Sequence, residues 1–271
     1  MINQDHKATA IGDIPPHWEV AKIGEIADVK GGKRLPKGSQ LSVIKNSHPY
    51  IRVADMYMGG VSTNHIQYVP DDVFKFIAKY TINSDDLFIS VAGTIGIVGF
   101  VPKELDGANL TENANKLTNI SINKVFLFYV MSSDIVQNII NKEKTNNAQP
   151  KLALTRIREF IIPNPPLNEQ QKISKILSTV DEKLDNISKQ ISETEKLKKG
   201  LMQQLLTKGI GHDKFKSSEL GEIPENWEVK ELNNVTFHLL FLSFLLKYHA
   251  ATPQRQNCQN GEYQLYLLLS V

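Results

Sequence analysis

The sequence has a single cysteine, Cys258, among its 271 residues. One cysteine cannot form an internal disulfide, which excludes a small disulfide-stapled scaffold and fits a reducing cytoplasm. The longest apolar stretch, Leu239–Leu246, is far shorter than the roughly 20 residues that a membrane span needs. Residues 1–10 also lack the apolar core of a signal peptide. We therefore predict a cytoplasmic protein that has no membrane partner.

A strong excess of charge of either sign is also absent. The formal net charge is +2 and the isoelectric point is near 8.4, values too mild to indicate a nucleic-acid partner by themselves. Any charge that binds DNA must therefore be local. The hydrophobic fraction of 41% and the charged fraction of 22% are those of an ordinary globular protein, which excludes wholesale disorder.

No set of catalytic residues emerges from the sequence. The seven histidines lack the paired spacing of a zinc site, and Cys258 has no obvious base. The glycine-rich segment Gly93–Gly99 lacks the lysine and spacing of a nucleotide loop, so we interpret it as a tight hairpin between two strands. Asn164–Leu167 is similar to the motif with which adenine-N6 methyltransferases hold a flipped base, but Leu167 replaces the aromatic residue and no cofactor loop precedes it. We expect no cofactor and no metal.

An internal repeat organises the chain. Ile11–Val20 and Leu220–Val229 share Gly, Ile, Pro, Trp, Glu and Val at the same positions, and the repeat includes both tryptophans of the sequence. The same kind of domain therefore begins twice. The second copy has about 50 residues before the chain ends, against about 150 in the first, which is too few to close the same core. Beyond Phe237 the repeat is lost, and we assign the tail no function.

The clearest helix lies between the two copies. Asn168 is a suitable N-cap with Gln171 completing a capping box, and Gly209 supplies a stop. About 38 residues give a rod of roughly 57 Å, and its narrow apolar seam needs a partner helix. We call the six residues of this seam the helix-pairing seam: Ile173, Leu177, Val180, Leu184, Ile187 and Ile191.

The part of the chain before this helix mixes α and β patterns. Strands are predicted at Tyr50–Ala54, Leu87–Val91 and Ile95–Val101, and helices at Asp71–Lys79 and Lys124–Lys142. In the second of these helices the predicted apolar face is Phe128, Met131, Ile135 and Ile139. The fold class is therefore α+β, with one mixed α/β domain followed by a long coiled-coil-type helix. The predicted boundaries are 11–166 for the domain, 167–209 for the helix, 218–237 for the start of a second domain and 238–271 for a divergent tail.

Two groups of basic residues are candidates for contact with nucleic acid. The first group is interleaved with glycines and contains no acidic residue, a composition that suits phosphate contact; its members are Lys30, Lys33, Arg34, Lys37 and Lys45. The second group adjoins the polar segment Asn146–Gln149, and Asn, Gln and Arg can bind base edges; its members are Lys142, Lys144, Lys151, Arg156 and Arg158. Arg52 and Gln149 are the candidates for base contacts. The full set of predicted DNA-binding residues is Lys30, Lys33, Arg34, Lys37, Arg52, Lys144, Gln149, Lys151 and Arg156.

Taken together, these features resemble the specificity subunits of type I restriction-modification enzymes. The segments that carry the resemblance are Gly12–Pro15 with Trp18, Pro49–Asp55, Asp86–Ser90 with Gly93–Gly96, Ile161–Ile173 and Leu201–Gly209. The resemblance spans about residues 11 to 236. It implies a subunit that recognises double-stranded DNA without catalysis, while methyltransferase (M) and restriction (R) subunits act on the DNA.

The sequence departs from that family in one respect, because a complete subunit has two recognition domains and two long helices. Two hypotheses follow: a half-subunit that works as a homodimer through its long helix, or an inactive truncated product. Two further alternatives are a monofunctional adenine-N6 methyltransferase, against which the missing cofactor loop argues, and a coiled-coil interaction protein with no role on DNA.

Overall fold

A computed structural model of the protein describes residues 6–145, 151–231 and 266–269. The chain divides into two units, Met1–Asp181 and Glu182–Val271. The strands of the first unit are β1 (Lys7–Thr9), β2 (Gly12–Ile14), β3 (Glu19–Lys22), β4 (Asp28–Gly31), β5 (Pro49–Ile51), β6 (Met56–Tyr57), β7 (Gly60–Val61), β8 (Gln67–Tyr68), β9 (Thr81–Ile82), β10 (Leu87–Ser90), β11 (Val98–Phe100), β12 (Ala108–Leu110), β13 (Ala114–Thr118) and β14 (Ile161–Asn164).

The helices are α1 (Ile23–Ile26), α2 (Asp71–Ile77), α3 (Lys124–Ser132), α4 (Asp134–Thr145), α5 (Leu154–Arg158) and α6 (Leu167–Lys208), with short 3-10 turns at Val53–Asp55 and Lys103–Leu105. The second unit contains the strands β15 (Phe215–Ser218), β16 (Gly221–Pro224), β17 (Glu228–Glu231) and β18 (Tyr266–Leu269). This content confirms the predicted α+β class.

The centre of the first unit is an antiparallel sheet in the order β11-β10-β13-β4. Side chains alternate between the two faces of a strand, and β10 is buried on both faces. Leu87 and Ile89 pack with the helical layer that includes Leu127 and Met131. Phe88 points to a second core, which it shares with residues of the sheet β8-β5-β12-β9. The strong apolar character of β10 follows from this two-sided burial.

Three predicted strands are present but shorter than expected. The strand predicted at Tyr50–Ala54 ends at Ile51, because Arg52 begins the 3-10 turn at Val53–Asp55. The predicted hairpin is confirmed, since β10 and β11 pair antiparallel with Leu87 opposite Phe100. Its turn is closed by hydrogen bonds from the Ser90 amide to the Ile97 carbonyl, 2.9 Å, and from the Gly96 amide to the Ser90 carbonyl, 2.9 Å.

The predicted helix at Lys124–Lys142 is two helices, α3 and α4, so the prediction of one continuous helix was wrong. Ser133 adopts an extended conformation, with φ −76° and ψ 163°, and its carbonyl accepts the amides of Val136 and Gln137. Short polar side chains compete with helical hydrogen bonds, and three of them, Ser132 to Asp134, stand together here. The interruption shifts the buried face by one residue, so that Val136 and Ile140 are buried where Ile135 and Ile139 had been predicted.

The long helix α6 has 42 residues, which corresponds to roughly 63 Å. It begins at Leu167, so the prediction of Asn168 as N-cap was wrong. The amides of Glu169 and Gln170 bond to the Pro166 carbonyl instead. The predicted stop is confirmed, because Gly209 has a φ of +64°, a value that glycine adopts without strain.

The sequence repeat is also a structural repeat. The hairpin β1-β2 pairs Thr9 with Gly12, and the hairpin β15-β16 pairs Ser218 with Gly221 in the same register. In each, the hydroxyl of the Thr or Ser donates to the carbonyl of the facing glycine, at 2.6 and 2.7 Å. The backbone amides of Trp18 and Trp227 each donate to the carbonyl of the proline three residues earlier. The repeated sequence therefore specifies one local structure twice.

None of the helices within the described residues combines the length and apolar character that a membrane crossing requires.

Candidate nucleic-acid interface

Several loops that are distant in sequence meet at one end of the two sheets, and we call them the loop cluster: residues 32–38, 91–96, 111–113 and 151–152. Backbone hydrogen bonds join them. The Lys33 backbone amide donates to the Leu110 carbonyl at 2.8 Å, and the Val91 backbone amide donates to the Asn113 backbone carbonyl at 2.7 Å. The Leu152 amide in turn donates to the Val91 carbonyl at 2.9 Å. The loop cluster therefore brings Lys151 of the second basic group to the same end of the sheets as Lys33, Arg34 and Lys37 of the first.

Gly32 holds the first basic group against the sheet. A Cβ at this position would lie 2.1 Å from the Thr111 carbonyl oxygen and 2.3 Å from that of Leu110, so only glycine fits. The sequence interpretation, in which the glycines approach a phosphate, is wrong for Gly32 because its close neighbour is this chain's own backbone. Gly38, by contrast, has φ +87° and open space around it.

The lysines on either side of Gly32 differ in which groups lie near their ammonium groups. Lys33 is exposed, and its ammonium lies 5.5 Å from the centre of the Tyr80 ring. Lys37 is exposed in the turn that Ser39 closes onto Pro36. Lys30 lies on β4, with its Nζ 3.3 Å from Asp28. Lys30 therefore has an acidic partner, whereas Lys33 and Lys37 have none among the described residues.

Arg34 has one fixed partner, the carboxylate of Glu112. Its Nε donates to Glu112 Oε1 at 2.5 Å, while its side chain is 77% exposed. Partial burial of Glu112 raises its pKa, but hydrogen bonds from Arg34 and Thr111 outweigh this effect and hold the pKa of the carboxyl below its ordinary value. The carboxylate therefore stays ionised and fixes the orientation of the guanidinium.

Arg52, predicted to contact bases, has its guanidinium bonded within the protein. It donates to both carboxylate oxygens of the buried Asp55, at 2.6 and 2.9 Å, to Gln67 Oε1 at 2.8 Å and to the His65 carbonyl at 2.9 Å. A base contact by Arg52 would require some of these bonds to break. This geometry is that of a residue which supports the loop, and its contact with bases stays a prediction.

The second basic group is described only in part. Lys151 is exposed beside Leu152 in the loop cluster. Arg156, on α5, donates from Nε and Nη2 to a single oxygen of Glu143, Oε1, at 2.9 and 2.8 Å. Lys144 belongs to α4, and Gln149 lies outside the described residues. Arg158, the last member of the second group, donates to the Val29 carbonyl at 3.1 Å, one residue before Lys30.

Two features of the interface were missed in the sequence analysis. The polar segment Thr111–Asn113 is the hub of the loop cluster, and its only sequence signal is a polar interruption between two apolar strands. In addition, the loop between β4 and β5 carries two exposed apolar side chains, Val43 at 80% and Ile44 at 78%. Such residues are typical of a binding surface.

The helix-pairing seam is only partly covered within the chain. Ile173 packs against the core of the first unit. The next five residues keep between 37% and 56% of their surface exposed: Leu177, Val180, Leu184, Ile187 and Ile191. Leu197, Leu201 and Leu205 extend the same exposed stripe. Half-exposed leucine and isoleucine at regular spacing indicate a surface that pairs with another helix.

Comparison with known proteins relates the chain to one family. The sequence profile of the type I restriction modification DNA specificity domain matches residues 15–196. The putative type I restriction enzyme MjaX specificity subunit of Methanocaldococcus jannaschii is 34% identical over 253 residues, which cover 88% of this chain and 57% of that protein. The MjaVIII specificity subunit of the same organism is 30% identical, covering 82% and 50%. The chain spans about half the length of the curated relatives it matches.

Solved structures show the same fold. The HsdS subunit from Thermoanaerobacter tengcongensis aligns with a TM-score of 0.51 and 19% identity, over 82% of this chain and 55% of that one. A chain from a structure that addresses complex assembly and conformational transition of the type I R-M system aligns with a TM-score of 0.54 and 22% identity, over 72% and 46%. A mixed α/β domain followed by a long helix is therefore a known architecture.

Proposed function

Because this chain belongs to the family of type I restriction-modification DNA specificity domains, we propose that it is the DNA-recognition subunit of a type I restriction-modification complex. In this role it binds double-stranded DNA and directs the methyltransferase (M) and restriction (R) subunits to their target. The chain itself catalyses neither reaction. The observation that most directly supports the proposal is the loop cluster, in which exposed Lys33, Arg34 and Lys37 of the first basic group lie in the same cluster as exposed Lys151 of the second.

The loop cluster suits DNA in two ways. Exposed Lys33 and Lys37 supply the positive charge that neutralises phosphates and gives affinity without regard to sequence. The apolar Val43 and Ile44 project from the same loop, and apolar side chains can contact the methyl group of thymine in the major groove. Affinity and base reading are thus assigned to neighbouring residues of one loop.

Arg34 is our principal candidate for reading a base. Its Nε is held by Glu112, and its two terminal nitrogens make no hydrogen bond to the described residues. Those two nitrogens form the fork that binds guanine O6 and N7. A guanidinium oriented beforehand by a carboxylate loses less freedom on binding. Arg52 and Gln149 remain candidates of lower rank, together with Lys151 and Arg156 for phosphate contact.

We further propose that two copies of the chain pair through the long helix. The helix-pairing seam has no second helix to cover it within the described residues. Each large apolar side chain contributes roughly 1.5–3 kcal/mol when fully buried. An antiparallel pair covers both seams and sets the two recognition domains at opposite ends of the pair. The competing hypothesis is an inactive half-subunit that stays monomeric.

DNA binding is tested with the double variant Lys33→Ala with Arg34→Ala. We expect affinity for specific and random duplexes to fall roughly tenfold at low salt, and the slope of log K against log salt to decrease by roughly 1 to 2, because the Lys33 phosphate contact and the positive charge of Arg34 beside the DNA are both lost. Fluorescence anisotropy with labelled duplexes over a salt series measures both quantities.

The matched control is Lys103→Ala with Lys172→Ala, which removes the same charge. Lys103 follows β11 on the side away from the hairpin turn. Lys172 stands near Gln170, which bonds to Asn123 beyond the far end of β13. Both therefore lie at the opposite end of the sheet from the loop cluster, and this control should bind like the wild type. Equal losses in the two double variants would contradict the proposed interface and direct attention to the Lys142–Arg158 segment.

A further inference from the structure

The two copies of the repeat each end in a tryptophan and a strand, and we call them the first Trp module (residues 7–22) and the second Trp module (residues 215–231). In the first Trp module, Trp18 Nε1 donates to Glu169 Oε2 at 3.0 Å, and His17 Nε2 lies 3.2 Å from the same oxygen. Glu169 lies in the first turn of α6. Through these contacts with the Glu169 carboxylate, the first Trp module holds the first turn of α6 in place.

The strand of each Trp module has an equivalent partner. In the first, β3 pairs with β14, and Glu19 lies opposite Asn164. In the second, β17 pairs with β18, and Glu228 lies opposite Leu269 in the same antiparallel register. The edge of β17 in the second Trp module is thus paired with another strand of the same chain.

Among the described residues, no carboxylate accepts from Trp227 as Glu169 accepts from Trp18. Trp227 is only 8% exposed, and its Nε1 has no hydrogen-bond partner within the described residues. A buried donor without a partner is costly, and native structures rarely leave one. Since the equivalent nitrogen of Trp18 donates to a glutamate, the structure indicates which kind of group belongs here.

A cavity of about 490 Å³ lies beside His212, whose ring is 6.0 Å from the Trp227 ring, and it has polar walls: Gly211, His212, Asp213, Lys214, Glu225 and Asn226. Asn226 holds the place in the second module that His17 holds in the first. Its amide can donate to a carboxylate, as His17 can, and Lys214 adds a positive charge. The Trp227 ring also packs against Gly209, since a Cβ on that glycine would lie 2.8 Å from Trp227 Cζ2. The cavity is therefore at the end of the long helix.

We propose that the second Trp module binds Glu169 of a second copy of this chain, and so sets the register of the helix pair. The inference rests on the self-pairing proposed above. Glu169 is available for this contact because its side chain is 34% exposed, and both described bonds to its carboxylate end on Oε2. A carboxylate has about four acceptor positions, so Oε1 can accept from Trp227 while Oε2 keeps Trp18.

The long helix accommodates the same arrangement. An antiparallel register that places Glu169 of one copy opposite Gly209 of the other also places Ile173 opposite Leu205, Leu177 opposite Leu201, and Ile187 opposite Ile191. All are positions of the 3-4 spaced stripe that meet in antiparallel coiled coils. In this register Lys198 faces Val180 and Thr194 faces Leu184. The alternative register, centred near residue 182, pairs Ile173 with Ile191, Leu177 with Ile187 and Val180 with Leu184, but leaves Leu201 and Leu205 uncovered.

Disulfide trapping distinguishes the two registers. The experiment uses a Cys258→Ser background. Ser188→Cys flanks the seam beside the two-fold axis of the register that pairs Glu169 with Gly209. Asp181→Cys holds the equivalent position in the register centred near residue 182. The two substitutions are one heptad apart on the same helix face, and Asp181→Cys also removes the hydrogen bond that the Tyr129 hydroxyl donates to Asp181 at 2.7 Å, so Asp181→Ala is compared with the wild type for self-pairing. We expect oxidation to link Ser188→Cys copies efficiently and Asp181→Cys copies little, as measured on a non-reducing gel. The reverse pattern would overturn the inference while self-pairing stands.

The tryptophan itself is tested by Trp227→Phe, which keeps a buried ring and removes only the donor. We expect the dimer dissociation constant to rise at least roughly tenfold, because two equivalent bonds to a charged acceptor are lost. The matched control Trp18→Phe removes the bond within one copy and should leave dissociation near the wild-type value, as measured by sedimentation. An unchanged constant for Trp227→Phe would refute the contact. A monomeric wild type would overturn self-pairing and this inference together, whereas the salt-dependence experiment tests DNA binding separately.

Discussion

Single residues determine the local geometry of the loops that follow β4 and β5, and Gly32 and Arg52 are the clearest cases. Gly32 lets the basic loop leave β4 in contact with the carbonyl oxygens of Leu110 and Thr111. Arg52 compensates the buried charge of Asp55, whose side chain is 4% exposed. Each residue therefore holds a loop in place through contacts within the protein.

Gly32→Ala should lower the free energy of unfolding by about 2–3 kcal/mol, because the added Cβ overlaps two backbone oxygens that cannot move freely. Gly200→Ala is the control, since Gly200 is helical with open space around it. It should stabilise the protein by roughly 0.5–1 kcal/mol through helix propensity. Urea denaturation measures both. A neutral Gly32→Ala would mean that the basic loop is free to shift.

Arg34 and Arg52 should separate recognition from stability. Arg52→Ala should cost about 2 kcal/mol of stability, because Asp55 loses its buried ion pair. Arg34→Ala should cost little stability, since its side chain is 77% exposed, yet it should weaken discrimination at one base by about 1–3 kcal/mol. Denaturation and selection of bound sequences from a random pool measure the two effects. Gln149→Ala belongs to the same selection experiment, and unaltered preference in all three would make them framework residues.

At the scale of elements, α6 is a long helix with an apolar surface that stays half-exposed within the described residues. Its first turns dock on the core of the first unit through Ile173. Beyond these turns, the exposed seam residues and polar remainder are typical of a coiled-coil strand. Helices of this length gain most of their stability from such packing rather than from propensity.

Leu184→Asp with Ile187→Asp should convert a dimer into a monomer, because four carboxylates would enter the centre of the pair without partners. Static light scattering gives the mass directly. The control Asn186→Asp with Lys189→Asp adds negative charge to the outer face of the same turns and should stay dimeric. A wild type that is monomeric, with or without the methyltransferase subunits, would favour the inactive half-subunit.

At the scale of the whole molecule, the proposed pair determines what kind of DNA site is recognised. Two identical domains related by a two-fold axis read the same bases on opposite strands, so the site should be an inverted repeat with an unread spacer of constant length. Selection from random duplexes, followed by sequencing, should return such repeats. Selected sites that consist of one half-site, or of two different halves, would contradict the symmetric assembly.

The sequence by itself determined the features that depend on local periodicity and repetition. The seam spacing of α6, its stop at Gly209 and the repeated Trp modules involve residues close together in the chain, so their patterns are legible without a structure. The family resemblance likewise depended on contiguous segments, above all Ile161–Ile173.

Only the tertiary structure decided which residues share a surface and which side chains are already bonded. Gly32 meets Thr111, Val91 meets Asn113, and Arg158 meets Val29, across separations that no local pattern records. The same holds for Arg52, whose sequence neighbourhood resembles that of a free recognition arginine until Asp55, Gln67 and His65 surround it. The physical reason is that hydrogen-bond partners and exposure are set by the meeting of distant segments, whereas helix and turn preferences are set by neighbours along the chain.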